Sequence, residues 1–145
     1  MVSVGGNDAL GYVDLLSKRV ESSAAALQLF AAPLDRFALD YEDALGAVTA
    51  LGKPVIVCTI YNGRLEPSVA TPARMALSLF NDAIQRVANQ HRAPTIELRS
   101  ICCEAADYAN PIEPSGPGGL KIARAIAAAV AGIAAASPAA GQLAR

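Results

Sequence analysis

The sequence predicts an α/β fold, a three-layer α/β/α sandwich with a parallel sheet, and two observations carry this prediction. Apolar runs alternate with helical patterns in the order strand, helices, strand, helix, strand, helix. Such alternation is typical of right-handed crossovers between parallel strands. The run at residues 55–61 is apolar without interruption and rich in β-branched residues, which indicates a strand covered on both faces.

The first elements surround a short β-type run at residues 2–4. Asp8 is predicted to cap a helix that begins near Ala9. The next helix begins near Asp35, and Gly52 suits the position just after its C-terminus. Its predicted buried face repeats every three or four residues and consists of Phe37, Tyr41, Leu45, Val48 and Leu51.

The second half of the chain repeats this pattern. Thr71 and Pro72 are predicted to open a helix, and Asn81 falls on its polar side. The buried stripe of this helix is Leu77, Phe80, Ile84 and Val87. A third strand is predicted over residues 95–101 and a polar loop over residues 104–119. The last helix is predicted to bury Ile122, Ile126, Val130 and Ile133.

Residues 1–136 are predicted to form a single domain, and residues 137–145 a flexible C-terminal tail. A sheet of three strands is small for this fold, so the chain is expected to be the later part of a domain that lacks its first strands. The open sheet edge at residues 2–4 should then favour self-association.

Charge and composition narrow the range of partners. The chain has 12 basic and 13 acidic residues, so it lacks the basic face that nucleic acid or an anionic membrane requires. The Ala-rich stretch over residues 122–136 is predicted to be too short and too weakly apolar to span a bilayer. No cofactor or metal is expected, because the three cysteines contain no Cys-x-x-Cys pair. Free buried thiols favour a reducing, cytoplasmic location.

In an open α/β sheet, ligands bind at the carboxyl ends of the strands. The loops predicted there are residues 5–8, 62–64 and 104–119. Gly5 and Gly6 permit a sharp turn, and the side chain of Asn7 can donate a hydrogen bond to an oxyanion. A plain strand-to-helix turn is the alternative interpretation of the same spacing.

Two blocks in these loops resemble the SGNH, or GDSL-type, ester hydrolases. Residues 2–8 (VSVGGND) are similar to the Gly-x-Asn-Asp block of that family. Residues 107–115 (DYANPIEPS), followed by GGLKIA at 118–123, are similar to its last block, in which an Asp-x-x-His-Pro loop leads into the final helix. The resemblance covers most of the chain and implies the later part of a flavodoxin-like sandwich.

The resemblance implies a hydrolase that cleaves a small-molecule ester through an acyl–Ser intermediate. It makes Asn7 the oxyanion donor, Gly5 the residue that shapes the turn, and Asp107 the carboxylate of the last block. Asn110 takes the position of the family's His. The predicted substrate-binding residues are Gly6, Asp8 and Asn62.

The chain departs from the family pattern at two places. The Gly-Asp-Ser block that holds the nucleophile is absent and is expected upstream. Asn110 cannot accept a proton from Ser near neutral pH. The alternative function is therefore a catalytically silent domain that binds a ligand or a protein through the same loops.

Other residues offer alternatives for the missing chemistry. His91 is predicted to be solvated at a helix end, away from the site loops. Each remaining candidate has a catalytic and a structural interpretation. Asp107 and Glu113 are each a base or a loop cap. Ser115 is a nucleophile, or else a turn residue or the cap of the last helix, and Cys102 and Cys103 are nucleophiles or buried thiols.

Overall fold

The computed structural model describes residues 1–136, and the predicted tail at residues 137–145 lies outside the described residues. The helices are α1 (Gly6–Leu10), α2 (Ser23–Gln28), α3 (Ala31–Thr49), α4 (Pro67–Gln90), α5 (Leu98–Ile101) and α6 (Gly116–Ala136). The strands are β1 (Val57–Cys58) and β2 (Thr95–Ile96). Two 3-10 turns cover Val13–Ser17 and Ala105–Asp107.

The predicted three-layer α/β/α sandwich is wrong. In the described part of the chain the sheet consists of β1 and β2, two residues each, and most of the described residues are helical. An isolated bridge joins Val2 to Val57. All of these pairings are parallel, which is the direction that the sequence predicts, but the sheet is too small to form a sandwich layer.

The backbone ladder ends at Thr59, whose N–H donates to Ile96 O at 3.0 Å, because side chains bind the backbone groups that follow. Asn81 of α4 binds both backbone groups of Ile60: its Oδ1 accepts from Ile60 N at 2.7 Å, and its Nδ2 donates to Ile60 O at 2.9 Å. The hydroxyl of Thr59 accepts from the backbone N–H of Leu98 at 2.9 Å. Backbone groups satisfied in this way are not available to extend a ladder.

Two apolar clusters lie on opposite faces of β1, because successive side chains of a strand alternate. Val55 and Val57 belong to the cluster formed by α3 and α4. Ile56 and Cys58 belong to the cluster that faces α6. The helical residues buried in the first cluster are Phe37, Tyr41, Leu45, Phe80, Ala83, Ile84, Val87 and Ala88. Most of the predicted helical stripes are therefore confirmed.

Several predicted boundaries and faces are wrong. The helix predicted to open at Thr71 begins at Pro67 and carries Pro72 inside it. The region predicted to be a helix from Ala9 is a short helix followed by a 3-10 turn. Predicted buried residues that are exposed are Leu51 and Val130.

Among the described residues, α6 is the one helix that is long and apolar enough to cross a membrane, judged by length and composition alone. Its stretch Gly116–Ala135 has a mean hydropathy of 1.5. The stretch predicted to be too short, residues 122–136, is part of this helix, which begins at Gly116. One face of α6 packs on the cluster around Ile56 and Cys58, through Ile122, Ala125, Ile126, Ala129 and Ile133.

Glu97 ties together the ends of β1, α4 and α5. Its Oε1 accepts from the hydroxyl of Thr59 at 2.7 Å and from Nε of Arg99 at 2.8 Å. Its Oε2 accepts from Nη2 of Arg99 at 2.6 Å and from Nε2 of Gln85 at 3.1 Å. The hydrogen bonds from Arg99, supported by that from Thr59, lower the pKa of Glu97 to about 2.

We expect this network to make stability depend on acidity. The pKa of Glu97 is lower in the folded chain than its ordinary value of 4.5, so the stabilisation is present above that pH and is lost as the pH falls towards 2. The side chain is 35% exposed. Solvent screening therefore limits the contribution to about 1–2 kcal/mol.

Urea denaturation of wild type and Glu97→Gln at about pH 6 and about pH 3 measures this contribution. Glu97→Gln should lose less stability than wild type between the two pH values. The matched control is Glu66→Gln, at an exposed residue whose side chain makes no capping hydrogen bond. Equal acid sensitivity of Glu97→Gln and wild type would contradict the assignment.

Candidate functional site

The turn after residues 2–4 requires glycine at position 5. Gly5 has a φ of +104°, a conformation that L side chains rarely adopt. A Cβ at this position would also lie 3.0 Å from Cζ of the buried Phe37. Gly5 O accepts from the backbone N–H of Ala9 at 3.0 Å. The turn therefore directs the chain from the sheet edge straight into α1.

Ile60 lies just before the second predicted loop (residues 62–64) and contacts the first (residues 5–8). Its side chain lies 3.6 Å from a Cβ built on Gly5 and 3.8 Å from one built on Gly6. Its backbone is held by Asn81, which is fully buried. The prediction that Asn81 is on the polar side of its helix is wrong. A signal was present in the sequence, since Asn81 has the spacing of the buried stripe at Ile84 and Ala88.

The second and third loops are joined through Gly63 and Pro111. Gly63 has a φ of +73°, and a Cβ there would lie 2.5 Å from Pro111 O. The backbone N–H of Arg64 donates to that same oxygen at 2.8 Å. The hydroxyl of Tyr61 donates to Ile112 O at 3.0 Å. The three loops predicted at the carboxyl ends of the strands are thus linked in one line of contacts.

Asn7 lies beside a groove of about 470 Å³ between α1 and α3. The lining includes Gly5, Phe37 and Tyr41, which are buried, and Asn7 and Asp8, which are exposed. Within residues 1–136 no protein group forms a hydrogen bond with the Asn7 side chain. The amide of Asn7 is therefore free to donate to a molecule in the groove.

The other predicted site residues do not line this groove. Gly6 is half-buried beneath Ile60, and Asn62 is half-buried next to Gly63. Asp107 and Asn110 belong to the third loop, which contacts the second loop at Gly63 and Arg64. The predicted set therefore divides into a groove group, Gly5, Asn7 and Asp8, and residues that support the surrounding loops.

Asn110 is bound within its own loop. Its Oδ1 accepts from the backbone N–H groups of Ile112 at 3.0 Å and Glu113 at 2.9 Å. Its Nδ2 donates to Oε2 of Glu113 at 2.5 Å. Through these hydrogen bonds the side chains of Asn110 and Glu113 stabilise the turn. Neither side chain is placed to act as a base.

Asp107 is paired with a cation rather than with a histidine. Its Oδ1 lies 2.8 Å from Nζ of Lys121, and its Oδ2 accepts from the backbone N–H of Glu104 at 3.0 Å. The hydrogen bond from Lys121, followed by that from Glu104, lowers the pKa of Asp107. A carboxylate with a lowered pKa is a weaker base. Asp107 therefore fixes the start of α6 against the third loop.

The remaining candidates have structural positions. Ser115 caps α6, because its hydroxyl donates to Ala106 O at 2.6 Å and accepts from the N–H of Gly118 at 3.2 Å. Cys58 and Cys102 are buried, as predicted, whereas Cys103 is exposed. In the part of the chain that the structure describes, no group of three or more His, Cys, Asp and Glu side chains could hold a metal ion.

The prediction that His91 is solvated is wrong. Its side chain is 19% exposed. Nε2 lies 2.6 Å from Oε1 of Glu42, and Nδ1 lies 3.3 Å from the hydroxyl of Thr49. His91 thus connects the end of α4 to α3. It precedes β2, at the opposite end of the strands from the groove, as the sequence predicts.

The chain matches no protein-family model, and no curated protein or solved structure is significantly similar to it.

We expect Gly63→Ala to destabilise the protein more than Gly52→Ala does. Both glycines have a positive φ, +73° and +65°, but a Cβ on Gly52 meets nothing within 4 Å, whereas one on Gly63 meets Pro111 O. The conformational cost alone is about 1 kcal/mol. The forced separation of the two loops should raise the total for Gly63→Ala to about 2–4 kcal/mol.

Urea denaturation of the two variants and wild type tests this difference. Gly52→Ala serves as the matched control, because it repeats the backbone strain without the close contact. If the two variants lost equal stability, the Gly63–Pro111 contact would not join the loops.

Proposed function

We propose that this chain supplies the oxyanion-binding part of an ester-hydrolase site whose Ser nucleophile lies upstream of these 145 residues. The observation that carries the proposal is the side chain of Asn7, free of protein partners among residues 1–136 and placed beside a groove of about 470 Å³. Ligand sites are typically clefts of this size with a few placed polar groups. The resemblance of residues 2–8 and 107–115 to the SGNH hydrolases supports the same role.

For ester hydrolysis this chain has to supply a hydrogen-bond donor and the turn that positions it. A Ser hydroxyl attacks the ester carbonyl, the alcohol departs as the C–O bond breaks, and water then cleaves the acyl–Ser bond. Negative charge develops on the carbonyl oxygen at both stages. An amide donor such as Asn7, held by the Gly5 turn, stabilises that charge, and removal of one such donor typically costs about 3–4 kcal/mol.

A second candidate function is binding without catalysis, and two observations favour it. The amide of Asn110 is fully engaged with Glu113 and its neighbours. The carboxylate of Asp107 is paired with Lys121. The position at which the family places its base therefore has no proton acceptor. A base, like the nucleophile, would have to come from outside this chain.

Cellular location and self-association follow from the cysteines and from the sheet edge. We place it in the cytoplasm, because its cysteines are free and such thiols persist in a reducing compartment. We also propose self-association through the edge at residues 2–4. Val2 uses its N–H and its C=O on β1, at 2.8 Å each, so the alternate backbone groups of this segment face the other way. Nucleic acid and membranes are not proposed as partners.

The proposed role of Asn7 predicts that the 145-residue chain binds a simple ester without hydrolysing it. In a titration with ethyl butyrate followed by ¹H–¹⁵N NMR, the side-chain amide of Asn7 and the backbone amides of Gly5 and Gly6 should shift. Asn7→Asp replaces the donor by a charged acceptor and should weaken binding at least about tenfold, because a carboxylate repels the carbonyl oxygen.

The matched control is Asn89→Asp, the same change at an exposed residue near the C-terminal end of α4. It should leave the titration unchanged. A pH-stat assay of the same samples should show no ester turnover. Shifts that persist in Asn7→Asp would remove Asn7 from the site, and turnover by wild type would place a nucleophile within this chain.

A further inference from the structure

We propose that the groove beside Asn7 binds esters that carry a positive charge close to the ester carbonyl, such as an ammonium group, and that the carboxylate of Asp8 recognises that charge. This inference rests on the proposed function, because it takes Asn7 as the donor to the carbonyl oxygen. It goes beyond that function by naming a substrate class and a specificity residue.

The charged side chains that line the groove are carboxylates, those of Asp8 and Asp40, and both residues are exposed. No Lys, Arg or His belongs to the described residues of the lining. Arg36 lies 2.8 Å from Oδ1 of Asp40 and offsets the charge of that carboxylate. No ion pair within residues 1–136 includes Asp8. The groove therefore has a net negative charge, and Asp8 is its source.

Asp8 does not have to touch a ligand to select it, because charge acts over a longer range than a hydrogen bond. At about 0.15 M salt, screening between exposed charges becomes strong only beyond about 8 Å. Asn7 and Asp8 are consecutive residues of α1, and both line the groove, so their Cα atoms are about 3.8 Å apart. An ester whose carbonyl oxygen accepts from Asn7 thus has its neighbouring atoms within range of the Asp8 carboxylate.

The aromatic walls of the groove also suit an ammonium group. Phe37 and Tyr41 line it from α3, and Tyr12 lines it from the side of α1. The ring of Tyr12 stacks on Phe80, with the ring centroids 5.9 Å apart. Aromatic rings attract a cation that lies over their faces, and quaternary ammonium ligands are commonly recognised in this way. The methyl groups of such a ligand can pack on the rings while its charge faces Asp8.

This distribution of charge separates ligands of otherwise equal shape. An ester that ends in a carboxylate or a phosphate would be repelled by Asp8. A neutral ester of the same shape meets the same walls and the same donor on Asn7, but gains nothing from the carboxylate. Positive charge is therefore the property by which the groove should choose its ester.

The test compares acetylcholine with 3,3-dimethylbutyl acetate, a neutral ester of the same shape in which carbon replaces the ammonium nitrogen. Both are titrated into the 145-residue chain and followed by NMR. Wild type should bind the charged ester about three- to tenfold more tightly at low salt, the effect of one exposed charge pair beside aromatic rings. Added sodium chloride should reduce this preference.

Two variants should move the preference in opposite directions. Asp8→Asn should abolish it and leave the affinity for the neutral ester unchanged; the exposure of Asp8 favours retention of the fold. Arg36→Gln should increase the preference about twofold, because the carboxylate of Asp40 then loses its cation. Asp14→Asn is the matched control, since Asp14 is exposed and does not line the groove; it should keep the preference of wild type.

Equal affinities of wild type for the two esters, or a preference that survives in Asp8→Asn, would overturn this inference even if Asn7→Asp weakened the binding of ethyl butyrate. Failure of wild type to bind any of the three esters would overturn the proposed function and this inference together. Binding of acetylcholine that Asn7→Ala left unchanged would overturn the proposed function, because the cation would then be held without its ester carbonyl.

Discussion

The two hydrogen bonds between Asn81 and the backbone of Ile60 are the constraint on which the loop arrangement depends. Without partners, the backbone N–H and C=O of Ile60 would each cost about 1–3 kcal/mol of folding free energy when buried. Asn81 satisfies both groups with one side chain and thereby stops the strand at a defined residue. The side chain of Ile60 then lies against Gly5 and Gly6, while the residues after it turn towards the third loop.

Close contacts at three glycines extend this constraint along the loops. Gly5 lets the chain pass Phe37, Gly63 lets it pass Pro111, and Gly118 lets α6 start against the backbone of Asp107. Each contact leaves no room for a Cβ without movement of a neighbour. The ion pair of Lys121 with Asp107 fixes the same junction. The specific interactions named here thus hold the loops in place. The side chain of Asn7 stays without a protein partner among the described residues.

The sequence predicts which faces are buried better than it predicts which backbone groups pair. The run at residues 55–61 predicts burial on both faces correctly, but hydrophobic pattern does not show that Asn81 and Thr59 bind the backbone groups that would extend the ladder. Similarly, the last block suggests a catalytic loop, whereas the partners of Asn110 and Asp107 depend on contacts that spacing alone cannot specify. Gly5 and Gly52 are predictable, because a positive φ is a local property.

Native-state hydrogen exchange of Asn81→Ala tests the central claim most directly, with Asn89→Ala as control. If Asn81 holds the loops together, the amides of Ile60 and Arg64 should lose protection by about ten- to a hundredfold more than the core amides of Leu45 and Ile84. Asn89→Ala should leave all four unchanged. Equal loss of protection at the loop and core amides, or none at Ile60, would contradict the account.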